Sequence, residues 1–395
     1  MNERANGRDL RTDLRAMFDA GIAAVGGRDA TRRACCELTI RAPIRLVAFG
    51  KAAEAMTRGA LDALGEQVRD ALVISKHGHL SGILCADARL SCLESSHPLP
   101  DEDSLAAGEA LLRRLGAIGD DEHLLVLISG GGSSLVEALV EGVDLATLKA
   151  RTAGLLANGA SIGEINRARR DLSRLKGGGA LRALGDCGVT QLLISDVPGD
   201  LVADIASGPF VDPEAAGSTT GAPARVDTRL IACNAIARRA AAEAAVSLGY
   251  AVLDQDGTLD GDLDEARARI ERDLPDRPGT VRIWGGEPTL TLPEVPGRGG
   301  RNQHLAASLA PALALRHAPR VAVLVCGTDG TDGPTDAAGG LVDPDSLARG
   351  TAAGVDLAVR LAAADSGPWL EAAGSLVRTG PTGTNVMDLA IAGCG

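Results

Sequence analysis

The densest set of reactive side chains lies in CGTDGTDGPTDAAGGLVD (326–343), which places Asp329, Asp332, Asp336 and Asp343 among glycines. Four carboxylates so close in sequence repel one another unless a cation relieves them. The terminal bidentate Glu of a calcium loop is missing, and carboxylates facing polyphosphate more often hold Mg²⁺, which keeps waters and draws its other ligands from phosphate. Glu287, beyond the Gly pair of WGGEPTLTL (284–292), adds another acid. In GRGGRNQHLAASLA (297–310) a glycine loop feeds a helix whose start carries Arg298, Arg301, Asn302 and Gln303. A cation at a helix N-terminus opposes the dipole, so Arg301 reads as the partner of an anionic, phosphorylated ligand.

The first half carries a second set. LLVLISGGGSSLVEAL (124–139) runs from an apolar strand through Ser129, Gly130, Gly131 and Gly132 to Ser133 and Ser134 at a helix start. Side-chain-free backbone can approach an anion closely there, although the run is neither a Walker A loop nor a GxGxxG fingerprint, and a capped βα turn explains it equally. FGKAAEAM (49–56) puts Lys51 in the first turn of a helix, again better placed with an anion than without one. INRARRDLSRLKGGGAL (165–181) reads as a helix ending in Lys176 and three glycines, where Lys176 either complements the helix C-terminus or reaches a phosphate. ISDVPGD (194–200) sets Asp196 and Asp200 four apart around Pro198-Gly199, to bind metal, to take a proton from a hydroxyl, or to cap the turn. In TGPTGTNVMDLAIAG (379–393), Thr382, Thr384 and Asn385 read as the N-cap region of a helix.

What must position these groups is a series of apolar runs: 44–50, 70–78, 123–132, 189–200, 281–287 and 320–330, separated by Ala-, Leu- and Arg-rich helices. Continuous rather than alternating hydrophobicity marks strands buried on both faces, hence an α/β protein with mainly parallel sheets. The glycines cluster where those runs end, at the carboxyl ends of strands, where open α/β sheets bind ligands. A length of 395 residues suits two domains. The aperiodic stretch 212–229, rich in Gly, Pro, Ser and Thr, suggests a division into 1–225 and 226–395. The N-terminal residues place Leu10, Leu14, Phe18 and Ile22 on one helical stripe. A charge of −12 with 2% aromatics argues against nucleic-acid binding, and no apolar run reaches the ~20 residues of a membrane span, so a cytoplasmic protein is expected. Eight scattered cysteines without a CxxC read as reduced and mostly buried. Only four of the 40 basic residues are lysines, which makes each retained lysine a candidate for a specific role.

Taken in order, FGKAA, SSHPLPDEDS (95–104), LISGGGSSL, IN..R..LS.LKGG, ISDVPGD...IASGP, GGEPT, GRGGRNQ, GTDGTDGPTDAAG and TGPTGTNVMDLA resemble the class II glycerate 2-kinases, whose second half holds a MOFRL region, here about 280–390. The likeness runs from about residue 10 to the end. It implies ATP- and Mg²⁺-dependent phosphorylation of D-glycerate to 2-phosphoglycerate, on two α/β domains, the first Rossmann-like, with the active site in the interdomain cleft, in a monomer or homodimer. It also implies roles for Lys51, Glu287, Arg301, Asp329 and Asn385, and for Asp196 within ISDV. On that footing Lys51 and Arg301 stabilise the phosphoryl group and the substrate carboxylate, and Asp329 with Glu287 or Asp332 holds Mg²⁺. Asp196 or Asp200 handles the hydroxyl, and the Ser129–Ser134 loop, with Lys176, Asn302 and Thr384, binds nucleotide or substrate. The sequence departs from many relatives at Asp171 (usually His), His304 (usually Glu) and Met387 (commonly Asn). Relatives named as hydroxypyruvate reductases in tartrate degradation make an NAD(P)H-dependent reductase the alternative, but GxGxxG with an acidic ribose ligand is missing. A nucleotide-binding relative without turnover is a third reading.

Overall fold

The computed structural model describes residues 9–157, 162–211, 226–316 and 320–395. They form two compact units, one of residues 26–233 with 383–385, the other of the segments up to 25, 234–382 and 386–395.

The first unit is built on six strands: β1 (Ile44–Phe49), β2 (Val68–Lys76), β3 (Leu90–Ser95), β4 (His123–Ile128), β5 (Gly188–Ile194) and β6 (Val226–Ala232). Their order is β3-β2-β1-β4-β5-β6, and every pairing is parallel. Val47, Leu72, Val126 and Leu193 belong to one buried cluster with Leu111 of the helix Glu102–Leu115, so helix cover makes both-face apolarity necessary. That helix starts where LPDEDS places a reciprocal cap: Asp101 accepts from the Ser104 amide, and the Ser104 hydroxyl accepts from the Asp101 amide. Because the strand order reverses between β1 and β4, their carboxyl ends open the crevice where such sheets bind ligands.

The second unit carries β7 (Ala251–Thr258), β8 (Thr280–Gly286), β9 (Val321–Gly327), β10 (Gly339–Val342), β11 (Leu376–Val377) and β12 (Asp388–Cys394), in the order β11-β10-β9-β12-β8-β7. Only β7 and β8 are parallel, and the other four pairings are antiparallel. The α/β class with mainly parallel pairing therefore holds for six of the ten pairings, all but one of them in the first sheet. The segment after Asn385 is a strand rather than the expected helix. Its run DLAIAGC is buried at every position and bonded to β8 on one side and β9 on the other. The helix Arg301–Ala314 lies over this sheet through Leu305, Leu309 and Leu313, all fully buried.

The units do not follow the expected division at 225/226. Of the stretch 212–229, residues 212–225 lie outside the described residues, and 226–229 belong to β6, which pairs with β5 and so stays in the first unit. Leu10–Val25 forms the expected helix, with Leu14 and Phe18 buried, but it joins the second unit. Gly21 is the reason for the close fit: a Cβ there would stand 3.0 Å from the Ala237 carbonyl oxygen and 3.2 Å from Leu389. None of the eight cysteines is in a disulfide, and five of them are buried. Among the described residues no helix is long and apolar enough to cross a membrane.

Candidate active site

In the first unit the turns after β1 and β4 are fastened to each other. The Lys51 amide donates to the Gly130 carbonyl (2.9 Å), and the Ala52 amide donates to Ser129 Oγ (3.0 Å). Gly50, at φ +125°, permits this, since a Cβ there would come within 2.2 Å of Ser129 Oγ. Ser129, expected at the ligand, is thus fully buried and consumed in holding the Lys51 turn. The next two glycines admit functional side chains. A Cβ on Gly130 would lie 1.9 Å from Asp196 Oδ2 and 2.8 Å from Asn385 Nδ2; one on Gly131 would lie 2.9 Å from His97 and 3.4 Å from Lys51 Cγ. Asn385 Nδ2 donates to Asp196 Oδ2 (3.1 Å). Lys51, Asp196, Asn385 and the glycine loop are therefore one constellation at the β1/β4 switch point. His97, in SSHPLP beyond β3, belongs to it although no role was drawn for it from sequence.

Further round the loop, Gly132 packs where a Cβ would strike Phe49 and Ala206, Ser133 Oγ meets Ser207 Oγ at 2.9 Å, and the Ser134 hydroxyl donates to the Gly131 carbonyl. Asp200 is left-handed (φ 54°), following Gly199 in the Pro198 turn. Thr384 is buried beside Asn385.

Lys176, expected at a phosphate, is instead in the core. Its ammonium lies on the Glu137 carboxylate, and both side chains are almost wholly inaccessible. Burial, only partly offset by Glu137, pushes the Lys176 ammonium down to about 8. The glycines after it have a structural task as well: the Gly177 and Gly178 amides donate to the Ser207 and Gly208 carbonyls (3.0 and 2.8 Å).

The second unit has its own cluster. Asp388, first residue of β12, sits in register between Gly286, the last residue of β8, and Gly327, the last of β9, so that Glu287 and Thr328 follow directly on its two neighbours. Thr328 and Asn234 fix the entry to β12: the Thr328 hydroxyl donates to the Met387 carbonyl and accepts from the Val386 amide, while Asn234 Nδ2 donates to the Val386 and Asp388 carbonyls. Arg301 forks onto Asp388 (Nε to Oδ2 2.6 Å, Nη2 to Oδ1 3.1 Å) and reaches Glu287 at 2.7 Å. Burial opposes its charge, but Asp388 and Glu287 prevail and raise its pKa. The dipole argument for Arg301 missed these carboxylates, Asp388 standing 87 positions on in sequence.

The acidic loop is dispersed rather than pooled. Asp343 pairs with Arg11 and Arg349, and Asp336 with Arg378. Asp332, expected as a metal ligand, caps the helix Arg301–Ala314: Oδ1 accepts from the Asn302 amide (3.1 Å) and side chain (3.2 Å), and Oδ2 accepts from the Gln303 amide (2.8 Å). Burial, against the Gln303 amide, pushes its carboxyl up to about 6. Asn302 is thereby committed to Asp332 as well. Asp329 stays at the turn, its Oδ1 accepting from the Thr331 amide and hydroxyl (3.0 and 3.1 Å). Mg²⁺ at a phosphate needs only one or two carboxylates, and Asp329, a hard oxygen donor beyond the end of β9, could serve where Asp332 does not, while Glu287, beyond the end of β8, already carries Arg301. Of the departures from relatives, His304 faces the charges of Asp264 and Arg267, Asp171 is exposed, and Met387 holds φ 66°.

The first unit thus holds a switch-point glycine loop with a cation and an oriented carboxylate, and the second an arginine fork among carboxylates, groups of the kind that suit phosphate. Residues 13–229 match a domain of unknown function designated DUF4147, and residues 280–388 match the MOFRL family. The chain is 37% identical to a protein of Agrobacterium vitis provisionally named hydroxypyruvate reductase, over 96% of this chain and 93% of the other. It is 35% identical to glycerate 2-kinase of Pyrococcus horikoshii, over 90% and 88%. It superposes on the crystal structure of glycerate kinase from Thermotoga maritima with a TM-score of 0.86 at 33% identity, covering 98% of this chain and 99% of that one. The chain belongs to the MOFRL-containing glycerate 2-kinase family, a family of phosphotransferases.

Proposed function

We propose that the protein transfers the γ-phosphoryl group of ATP to the 2-hydroxyl of D-glycerate, giving 2-phosphoglycerate, with Mg²⁺ as the metal. The observation that carries this reading is the pair Gly130 and Gly131, which lets Asp196 with Asn385, and Lys51 with His97, close on one loop at the switch point. Phosphoryl transfer asks little covalent chemistry of a protein, so positioning and charge do most of the work. Asn385 orients the Asp196 carboxylate, which takes the proton of the attacking hydroxyl. Lys51 stabilises the charge of the transferring group. Arg301, held by Asp388 and Glu287 in a fixed plane, offers the guanidinium geometry suited to carboxylate or phosphate. Asp329, with Glu287 through the oxygen that Arg301 leaves, would hold the metal, which would supply positive charge to the transferring phosphates.

One observation favours a second reading. The order of the first sheet is that of dinucleotide-binding sheets, and the Agrobacterium relative bears a reductase name. Against it, the turn after β1 is Gly50-Lys51-Ala52-Ala53, with no room in its sequence for GxGxxG. Phosphorus NMR of the product from ATP and D-glycerate tests the proposal: a resonance coupled to the C2 proton is expected, and a 3-phosphate would refute the assigned hydroxyl. Lys51→Ala is expected to lower kcat about 10²-fold or more; near-wild-type turnover would remove Lys51 from the reaction.

A further inference from the structure

Arg169, near the end of the helix Ile162–Asp171, has no role in the reaction described above, yet its surroundings are those of a ligand-binding cation. Its Nη2 lies 3.5 Å from the Ser133 carbonyl, a long contact, and its Nε is buried without a hydrogen-bond partner among the described residues. The acid whose charge reaches it is Glu137. That carboxylate is already engaged: Oε1 accepts from the Ser173 hydroxyl (2.5 Å) and the Ala138 amide (3.1 Å), and Oε2 takes the Lys176 ammonium. Two cations therefore share one buried anion, Arg169 itself being only half-buried. Burial disfavours the charged form of both, and Arg169 adds to the depression at Lys176. A guanidinium does not shed its proton in a protein, and an anion bound beside Arg169 would offset its charge.

The same spot offers hydroxyl donors. Ser133 and Ser207 meet at 2.9 Å, and Ser207, with Ala206 before it, is held in the left-handed region (φ 63° and 49°). The Gly177 and Gly178 amides clamp that strained segment, the arrangement found where backbone is fixed for a ligand.

Resting on the kinase reading, we propose that Arg169 binds a substrate oxyanion beside Ser133 and Ser207, either the carboxylate of the hydroxy acid or a phosphate of the nucleotide. Calorimetric titrations of wild type, Arg169→Gln and Arg169→Lys with D-glycerate, with ADP and with inorganic phosphate test it, alongside kcat and KM for each substrate. Arg169→Gln is expected to weaken either D-glycerate alone, which assigns the carboxylate, or ADP and inorganic phosphate, which assigns the phosphate, by about 10- to 100-fold. Arg169→Lys should fall between, because an ammonium keeps the charge and loses the planar fork. Affinities within about twofold of wild type for every probe bound, with a lowered Tm, would show a purely structural residue and overturn the proposal. Should Arg169→Gln not fold, Arg169→Lys decides by the same criterion. These titrations need no turnover: a wild type that binds the probes but forms no ADP refutes the kinase reading and leaves the Arg169 result standing, whereas a wild type that binds none of them refutes both.

Discussion

Gly130→Ala isolates the geometry of the proposed site from its chemistry. The position needs no left-handed backbone, so the added methyl acts through space alone. It would stand 1.9 Å from Asp196 Oδ2 and 2.8 Å from Asn385 Nδ2, and the nearer atom must retreat about 1.1 Å before the gap reaches even 3.0 Å, the limit below which real contacts are not seen. That retreat draws Asp196 off the Asn385 hydrogen bond of 3.1 Å and misplaces the carboxylate proposed to take the hydroxyl proton. Displacement of a reacting group by about 1 Å costs on the order of 10² in rate. The expected result is a kcat about 10²-fold lower, with ATP and D-glycerate KM values changed far less, measured as ADP formation over a range of each substrate. Gly82→Ala is the control, since a methyl there meets nothing within 4 Å. A Gly130→Ala enzyme with kcat within threefold of the Gly82→Ala enzyme (roughly 0.6 kcal/mol) would refute the placement of Asp196 at the chemistry.

Lys176→Met strands Glu137 in the core and should cost about 3–5 kcal/mol in urea denaturation, most of it recovered in Lys176→Met/Glu137→Leu, because a paired apolar replacement of a buried ion pair is tolerated. The Lys176 ammonium is lowered to about 8 from 10.5, so between those pH values the unfolded chain binds its proton more tightly and stability must rise with pH; the deficit of Lys176→Met should be larger at pH 10 than at pH 8. Asp332→Asn removes a helix cap and should cost about 0.5–2 kcal/mol without altering the Mg²⁺ concentration that half-saturates activity, whereas Asp329→Asn should raise that concentration about tenfold or more. Arg301→Lys cannot fork onto Asp388 and should lose about 10²-fold in kcat/KM while remaining folded.

What the sequence made legible was set by local forces, and what it hid was set by partners far along the chain. The strands of the first sheet could be read because burial on both faces leaves unbroken apolar runs, and the glycines at their ends because close backbone approach leaves few other residues possible. The strand Asp388–Cys394 carries helix signals, because Asn385 suits an N-cap and Leu and Ala suit helices; only β8 and β9 on either side make it a strand. Lys176 beside three glycines resembles a phosphate lysine until Glu137, 39 residues earlier, is seen against it. Asp332 resembles a metal ligand until the Asn302 and Gln303 amides occupy it. Met387 adopts φ 66°, a conformation that Asn visits more readily than Met. His97 and Asp388 each carry a signal in the sequence, an ionisable residue beside a strand end within a motif already singled out.

The central claim is phosphoryl transfer to glycerate. It is tested most directly by assaying one preparation in parallel for ADP formation from ATP, Mg²⁺ and D-glycerate and for NAD(P)H oxidation with hydroxypyruvate. ADP formation that requires all three components, with no NAD(P)H oxidation, is the predicted result; turnover in the hydroxypyruvate assay alone would contradict it.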